Sequence, residues 1–267
     1  MKKLLLTSLL SFATIGLAHA ADMALPVKAP PTPPWYDWSG FYLGLNGGYS
    51  WGRSTTDFTV AGLTPYSTAQ NMDGWLGGGQ IGYNWQFDHN WILGIEADIQ
   101  GTGQDGSVAL PSVTVVTSSP LAALLTTATT TGTFSQKLPW FGTVRARLGV
   151  EPADRVMLYV TGGLAYGEVD SNAAFTVTAT TPGGTTTTTG SASANNTQVG
   201  WTVGGGLEWA FWQRWSAKVE YLYIDFGTFS NTLTGIGAFP TFTASSHVTD
   251  NIFRVGVNYN FGGPPRY

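Results

Sequence analysis

Segment after segment of this chain alternates large apolar residues with small or polar ones at a period of two. The clearest case sets Trp75, Gly77, Gly79, Ile81, Tyr83, Trp85 and Phe87 on one face against Gly78, Gln80, Gly82, Asn84 and Gln86 on the other. Successive side chains of an extended strand point to opposite faces, so this is a strand with one apolar and one polar side. When nearly every strand behaves this way behind a secretory signal, a closed barrel with a lipid-facing wall and a polar interior satisfies every backbone group.

The signal is Met1-Lys2-Lys3, then the apolar stretch Leu4 to Leu17, then Ala18-His19-Ala20 as a small-residue cleavage site. The apolar stretch is short for a membrane helix, and no later run approaches the roughly 18 to 20 apolar residues a helix needs. Cleavage after Ala20 removes Lys2 and Lys3, leaving 10 basic against 16 acidic residues and moving the formal charge from −4 to −6. That balance argues against a nucleic-acid partner. Charged residues are 10% of the chain and aromatic residues 13%, too few charges for an ordinary soluble surface and too many rings for disorder. Zero cysteine excludes a disulfide framework and thiolate metal sites.

Three parts follow along the chain: a signal peptide over 1–20, a Pro-rich periplasmic leader over 21–37 and an outer-membrane β-barrel over 38–267. Pro26, Pro30, Pro31, Pro33 and Pro34 keep the leader out of any ladder and make it extended and semi-rigid. Strands are expected near 39–52, 73–87, 91–103, 137–150, 156–170, 197–212, 215–227 and 248–261. The connections at 88–90, 151–155 and 213–214 are short. Those at 53–72, 104–136, 171–196 and 228–247 are long, rich in Thr, Ser, Ala and Gly, and read as mobile surface loops. The expectation is an all-β, eight-stranded antiparallel up-and-down transmembrane β-barrel with long extracellular loops, short periplasmic turns and both termini in the periplasm.

Parity assigns faces. Phe41, Leu43, Leu45, Tyr49 and Trp51 oppose Tyr42, Gly44, Asn46 and Ser50, and Trp91, Leu93, Ile95, Ala97 and Ile99 oppose Glu96, Asp98 and Gln100. Arg145 and Arg147, Glu208, and Arg254 likewise fall on polar faces. Aromatic residues gather at both strand ends: Trp85, Trp91, Trp209, Trp215 and Tyr259 at the short turns, and Trp51, Trp75, Trp140, Trp201 and Tyr223 at the long connections. Two such girdles are expected where strands cross two lipid interfaces. Two strands fit less well. In the seventh, Lys218 and Glu220 share a face with Leu222 and Ile224 while Asp225 points away, which calls for a bulge near Leu222 or an end above the lipid. In the fifth, Met157 and Tyr159 fall inside. A soluble two-sheet β protein stands as the rival fold, because parity does not say which face is inside.

Trp38-Ser39-Gly40-Phe41-Tyr42-Leu43-Gly44, Tyr221-Leu222-Tyr223 and Arg254-Val255-Gly256-Val257-Asn258-Tyr259-Asn260-Phe261 give the chain its resemblance to small outer-membrane β-barrel proteins. The architectural relatives are the OmpA and OmpX transmembrane barrels, and in detail the porin-family surface antigens of Gram-negative bacteria. The resemblance implies a structural role in the envelope, contact with outer-membrane lipid, handling by periplasmic chaperones, and a terminal aromatic read by the barrel-insertion machinery, for which Tyr259, Phe261 and Tyr267 are the candidates. It also implies a peptidoglycan partner: cleavage after Ala20 exposes Ala21-Asp22, the start that some relatives use for covalent attachment. A polyproline-like leader of 17 residues reaches on the order of 50 Å.

Glu96, Asp98, Glu208 and Glu220 against Arg145, Arg147, Lys218 and Arg254 form a balanced set facing the lumen. Either they fill it with salt bridges, since eight strands enclose about enough room for side chains, or they line a narrow polar pore. The long connections carry a third reading, a surface adhesin or ligand-binding role. No base is paired with a nucleophile, so no enzyme is expected, and neither a cofactor nor a metal site is expected. Gly77-Gly78-Gly79-Gln80-Ile81-Gly82 matches a dinucleotide fingerprint but sits inside a period-two strand and opens no helix.

Overall fold

The computed structural model describes residues 36–60, 64–87, 90–119, 124–233 and 241–262. Eight strands follow one another around a closed ring: β1 (Gly40–Val60), β2 (Tyr66–Gln86), β3 (Trp91–Ser119), β4 (Leu124–Ala153), β5 (Val156–Thr181), β6 (Gly184–Trp212), β7 (Trp215–Leu233) and β8 (Phe242–Asn260). Each is antiparallel to the next, and β8 closes on β1 with Tyr42 opposite Asn260. The Phe261 amide donates to the Phe41 carbonyl at 2.7 Å just past that pair. Both ends of the barrel chain therefore sit on the side of the tight turns.

Those turns are short because their residues allow it. At 154–155 the chain reverses in two residues, with Arg155 at φ 65° and its amide donating to Glu151 Oε1 at 2.9 Å. The turn at 213–214 is equally tight. At the third, Phe87 N donates to Trp91 O at 3.3 Å, and residues 88–89 lie outside the described residues.

At the opposite side the expectation of long loops is corrected. Most of 53–72, 104–136, 171–196 and 228–247 continues as strand. β5 and β6, for example, stay paired up to Thr181 and Gly184 around a turn at 182–183. Threonine and valine favour extended backbone even where no large apolar residue marks the period. Cross-strand rows result, such as Thr114, Thr129, Thr178 and Thr187 standing side by side on the outer face of β3 to β6. Pro111 and Pro139, which have no amide to give a ladder, fall within the register shifts at Leu110/Val113 and Lys137/Trp140.

The parity separates two surfaces. On the outer wall Leu45 is 74% and Trp75 75% exposed, whereas Ile92, Arg254 and Ile252 on the inner face are 0%. Aromatic pairs mark both rims of the outer wall. Tyr49–Trp75 and Trp201–Tyr223 lie at one, with centroids 5.1 and 5.5 Å apart, and Trp215–Tyr259 lies at the other, at 5.1 Å. Gly78 faces inward, where an added Cβ would collide with the Ile99 carbonyl and the Gln100 side chain. Its neighbour Gly79 faces outward with its nearest such contact at 3.7 Å. The glycine run thus serves close packing of β2 on β3, inside a strand.

In β7 the pairing runs without a break through Leu222 and Ile224, and both side chains are buried inside. The bulge expected near Leu222 lies three residues later, between Asp225 and Thr228. There Gly227 takes φ +70°, a conformation other residues rarely adopt, and its amide donates to Asp225 Oδ1 at 2.7 Å. Met157 and Tyr159 are inside as parity places them.

Candidate functional site: a filled lumen

The interior is stacked in layers. At the tight-turn mouth, Tyr36 and Trp38 turn inward ahead of β1 and pack with Ile92, Met157, Tyr159 and Ala210. Their rings meet edge to face at 4.8 Å. The Trp38 amide donates to Gln86 Oε1 at 2.8 Å, and Gln86 Nε2 donates to Glu151 Oε2 at 3.0 Å. Burial pushes the Tyr36 hydroxyl up to about 12, helped by the charge of Glu208.

Next comes the charged layer, where the barrel brings together all eight residues that parity placed on its inner face: Glu96, Asp98, Arg145, Arg147, Glu208, Lys218, Glu220 and Arg254. Arg145 is central. It reaches Glu220 Oε1 at 3.0 Å, Asp98 Oδ2 at 2.9 Å and Glu96 more closely still. Arg254 joins Asp98 at 2.9 Å and Glu220 at 2.6 Å. Lys218 Nζ sits 3.0 Å from Glu96 Oε2, and Arg147 bonds Glu208 at 2.7 Å.

Uncharged partners complete this layer, and the sequence did not single them out as members. Tyr42 donates to Glu96 at 2.7 Å and accepts from Arg147 at 2.9 Å. Tyr159 donates to Glu220 at 2.9 Å while its ring lies 4.1 Å beneath the Arg147 guanidinium. Thr143 donates to Asp98 at 2.8 Å, and Asn258 and Ser216 donate to Glu208. The usable signal was parity itself, which puts Tyr42 and Tyr159 on the same face as the charges. Each carboxylate thereby gains hydrogen bonds as well as countercharge, which a buried charge requires.

A largely apolar level lies beyond the charges, built from Met72, Leu76, Leu138, Phe141, Val169, Leu222, Ile224, Phe226, Val248, Ile252 and their neighbours, with one buried polar group in it, where Gln104 Nε2 donates to Asp250 Oδ2 at 2.8 Å and to Ser50. Past it, Gln136 acts as a hub. It accepts from Gln70 at 2.8 Å and from Ser54, and donates to Ser246 at 3.0 Å and Ser171 at 3.3 Å. A last apolar cluster of Phe58, Phe134, Ala173, Leu233, Phe242 and Ala244 closes the stack.

The remaining sequence candidates fall elsewhere. Phe261 is 54% exposed, packs edge-on to Tyr259 at 5.0 Å and lies outside the lumen. Ala21, Asp22 and Tyr267 lie outside the described residues. Among the described residues no group of three or more His, Asp or Glu is placed to hold a metal ion.

Comparison with known proteins bears on this arrangement. Residues 8–261 match the family model described as outer membrane protein beta-barrel domain. The 31 kDa outer-membrane immunogenic protein of Brucella melitensis is 36% identical over 274 residues, covering 98% of this chain and 100% of that protein. The 25 kDa outer-membrane immunogenic protein of the same organism is 28% identical over 254 residues, 93% of this chain and 92% of that one. Among solved structures, outer membrane protein OprG from Pseudomonas aeruginosa is similar over 84% of this chain and 97% of its own, with 10% identity and a TM-score of 0.48.

Proposed function

This chain belongs to the outer membrane protein beta-barrel family, and from that membership we propose that it serves as a sealed structural barrel that supports the envelope, held to peptidoglycan through its mature N-terminus. It is an outer-membrane protein and not an enzyme. In this reading the apolar outer wall meets lipid, the tight turns and both termini lie in the periplasm, and the long strand extensions stand outside the cell.

What supports the sealed reading is the stacked interior, above all the charged layer whose four acids and four bases pair with one another inside the lumen. A conducting pore needs a continuous wet path, and two apolar clusters narrow this one, with the hydrogen-bonded Ser50–Gln104–Asp250 group filling the space beside the first. Purified protein in planar bilayers should give no reproducible channel. Steady unitary conductance that shifts when Arg145 and Arg147 are replaced by Ala would favour the small-porin alternative.

The tether finds its support at the mouth. Pull on a leader joined to the wall at Ala21 would be transmitted to Tyr36 and Trp38, which are buried inside the barrel and hydrogen-bonded to its wall. Mass spectrometry of muropeptides released from purified cell walls should find a peptide that starts at Ala21 and carries a peptidoglycan remnant. Its absence would remove the tether from the proposal and leave the sealed barrel.

A second reading draws on the extensions of β3 to β6, which offer an uncharged surface to a host matrix or a haem-like ligand. Binding of purified protein to matrix, or a shift of haem absorbance, would bring it forward.

A further inference from the structure

Around the ring, the ladders are not equally long. β2 and β3 stop pairing at Asp73–Asp105, and β6 and β7 pair only from Trp201–Asp225 toward the tight turns. Beyond those points β1, β2, β7 and β8 stay paired to one another, and so do β3, β4, β5 and β6. The barrel therefore loses its ladders along two lines and continues as two four-stranded sheets, bridged by the Asn196 and Asn231 side chains across the β6–β7 line and facing each other across the last apolar cluster.

The β3–β6 sheet is the longer. Its free edges are residues 106–119 of β3 and 184–200 of β6, fourteen and seventeen residues, against seven (66–72) on β2 and eight (226–233) on β7. At about 3.3 Å per residue the excess carries its tip roughly 20–30 Å past the other sheet. There β3 and β6 have unpaired backbone with no facing strand among the described residues.

Soluble proteins blunt such edges with charge, proline or brevity. Here no charged residue occurs between Asp105 and Lys137 or between Asp170 and Glu208, so the entire tip is neutral. The β6 edge holds no proline, and the β3 edge holds one, Pro111 at its bulge, beyond which Val113, Val115 and Val116 are 46 to 58% exposed. Uncharged, β-branched and long, these edges match what an added strand needs.

We propose that this sheet pairs edge to edge with the same sheet of a neighbouring copy, the free edge of β6 in one against the free edge of β3 in the next. The two edges are on opposite sides of one sheet and run in opposite directions, so copies held upright in one membrane present them antiparallel and at the same height. A second copy supplies an edge of matched length and zero charge, while the net negative charge of the chain lies away from the contact. The contact is heterologous, and repetition extends a continuous sheet from copy to copy along the membrane surface. The inference rests on outer-membrane placement alone and is independent of the tether.

The chain has no cysteine, so single cysteines report cleanly. A chain with Thr187→Cys would be co-expressed with a chain bearing Cys in place of Ser112, Thr114 or Val116, which face outward like Thr187, or of Val113 or Val115, which face inward. Oxidation in isolated outer membranes would be followed on non-reducing gels, with a heat-dependent mobility shift showing that each variant is folded. Disulfide dimers confined to outward positions, exceeding several-fold a lipid-facing Leu158→Cys control and lost when Thr185→Lys and Thr189→Lys are added, are the expected result. Dimer yields no higher than the control, equal yields at inward and outward positions, or cross-links to a different protein would overturn the proposal.

Discussion

Replacing Arg145 with Met tests the charged layer most directly. Arg145 makes charge-assisted contacts to Glu96, Asp98 and Glu220, and its side chain is fully buried. Three such bonds at about 1.5–3 kcal/mol each give a gross loss of about 5–9 kcal/mol. Against this, a guanidinium no longer has to be stripped of water, which returns several kcal/mol. The variant keeps four carboxylates facing Arg147, Lys218 and Arg254, so one buried negative charge is left without compensation. The net expectation is a destabilisation of about 3–5 kcal/mol. Adding Asp98→Asn removes the surplus charge while Thr143 and Arg254 stay within reach of the amide oxygen. The double variant should recover most of the loss, a coupling of about 2–3 kcal/mol. Urea unfolding in detergent micelles, read by tryptophan fluorescence and by heat-dependent gel mobility, measures both. A single-variant loss below about 1 kcal/mol, or a double variant as unstable as the sum of its parts, would refute the argument that charge balance holds this layer together.

Further outcomes follow from other layers. Trp38→Ala should cost about 3–5 kcal/mol and open the chain near residue 38 to added protease, because it empties the mouth of its largest ring. Gly78→Ala should lower the unfolding midpoint sharply while Gly79→Ala, one residue along, leaves it nearly unchanged, since the first new methyl collides with a backbone carbonyl and the second meets its nearest neighbour at 3.7 Å, an ordinary van der Waals contact. With its hydroxyl pushed up to about 12, Tyr36 stays neutral in the folded barrel where the unfolded chain ionises near 10, so its contribution is complete below pH 10 and is lost as pH rises toward 12. Denaturation curves of Tyr36→Phe should therefore fall less steeply than wild type across that window. Phe261→Ala should reduce the heat-shiftable fraction recovered in outer membranes more than Tyr267→Ala does, if the aromatic at the β8–β1 seam is the one the insertion machinery reads.

The eight strands and their facing were legible because lipid and lumen impose opposite demands on alternate residues, as Trp91 to Gln100 and Phe253 to Asn260 show. That contrast fades past the far aromatic rim, where Thr127, Thr129 and Thr131 alternate with Ala128 and Thr130 and neither face needs a large apolar group. The strands run on regardless, carried by β-branched residues and cross-strand pairing. The length of the supposed loops was itself a warning, since more than about 12–15 residues without secondary structure is uncommon in a compact domain. For the interior, parity located the charges but not the order of layers. Leu222 and Ile224 looked like a register fault because an interior that is polar throughout was the expectation. The barrel instead alternates polar and apolar layers along its axis, a pattern along the axis that no single strand reveals.

The row of Thr114, Thr129, Thr178 and Thr187 has an immunological corollary. Its four hydroxyl-bearing side chains lie within about 15 Å of one another at strand spacing, yet they come from four separate stretches of the chain. An antibody that grips this face reads across the weave rather than along the thread, so the epitope is conformational. A synthetic peptide copied from any one stretch carries a quarter of it, and a boiled antigen carries none.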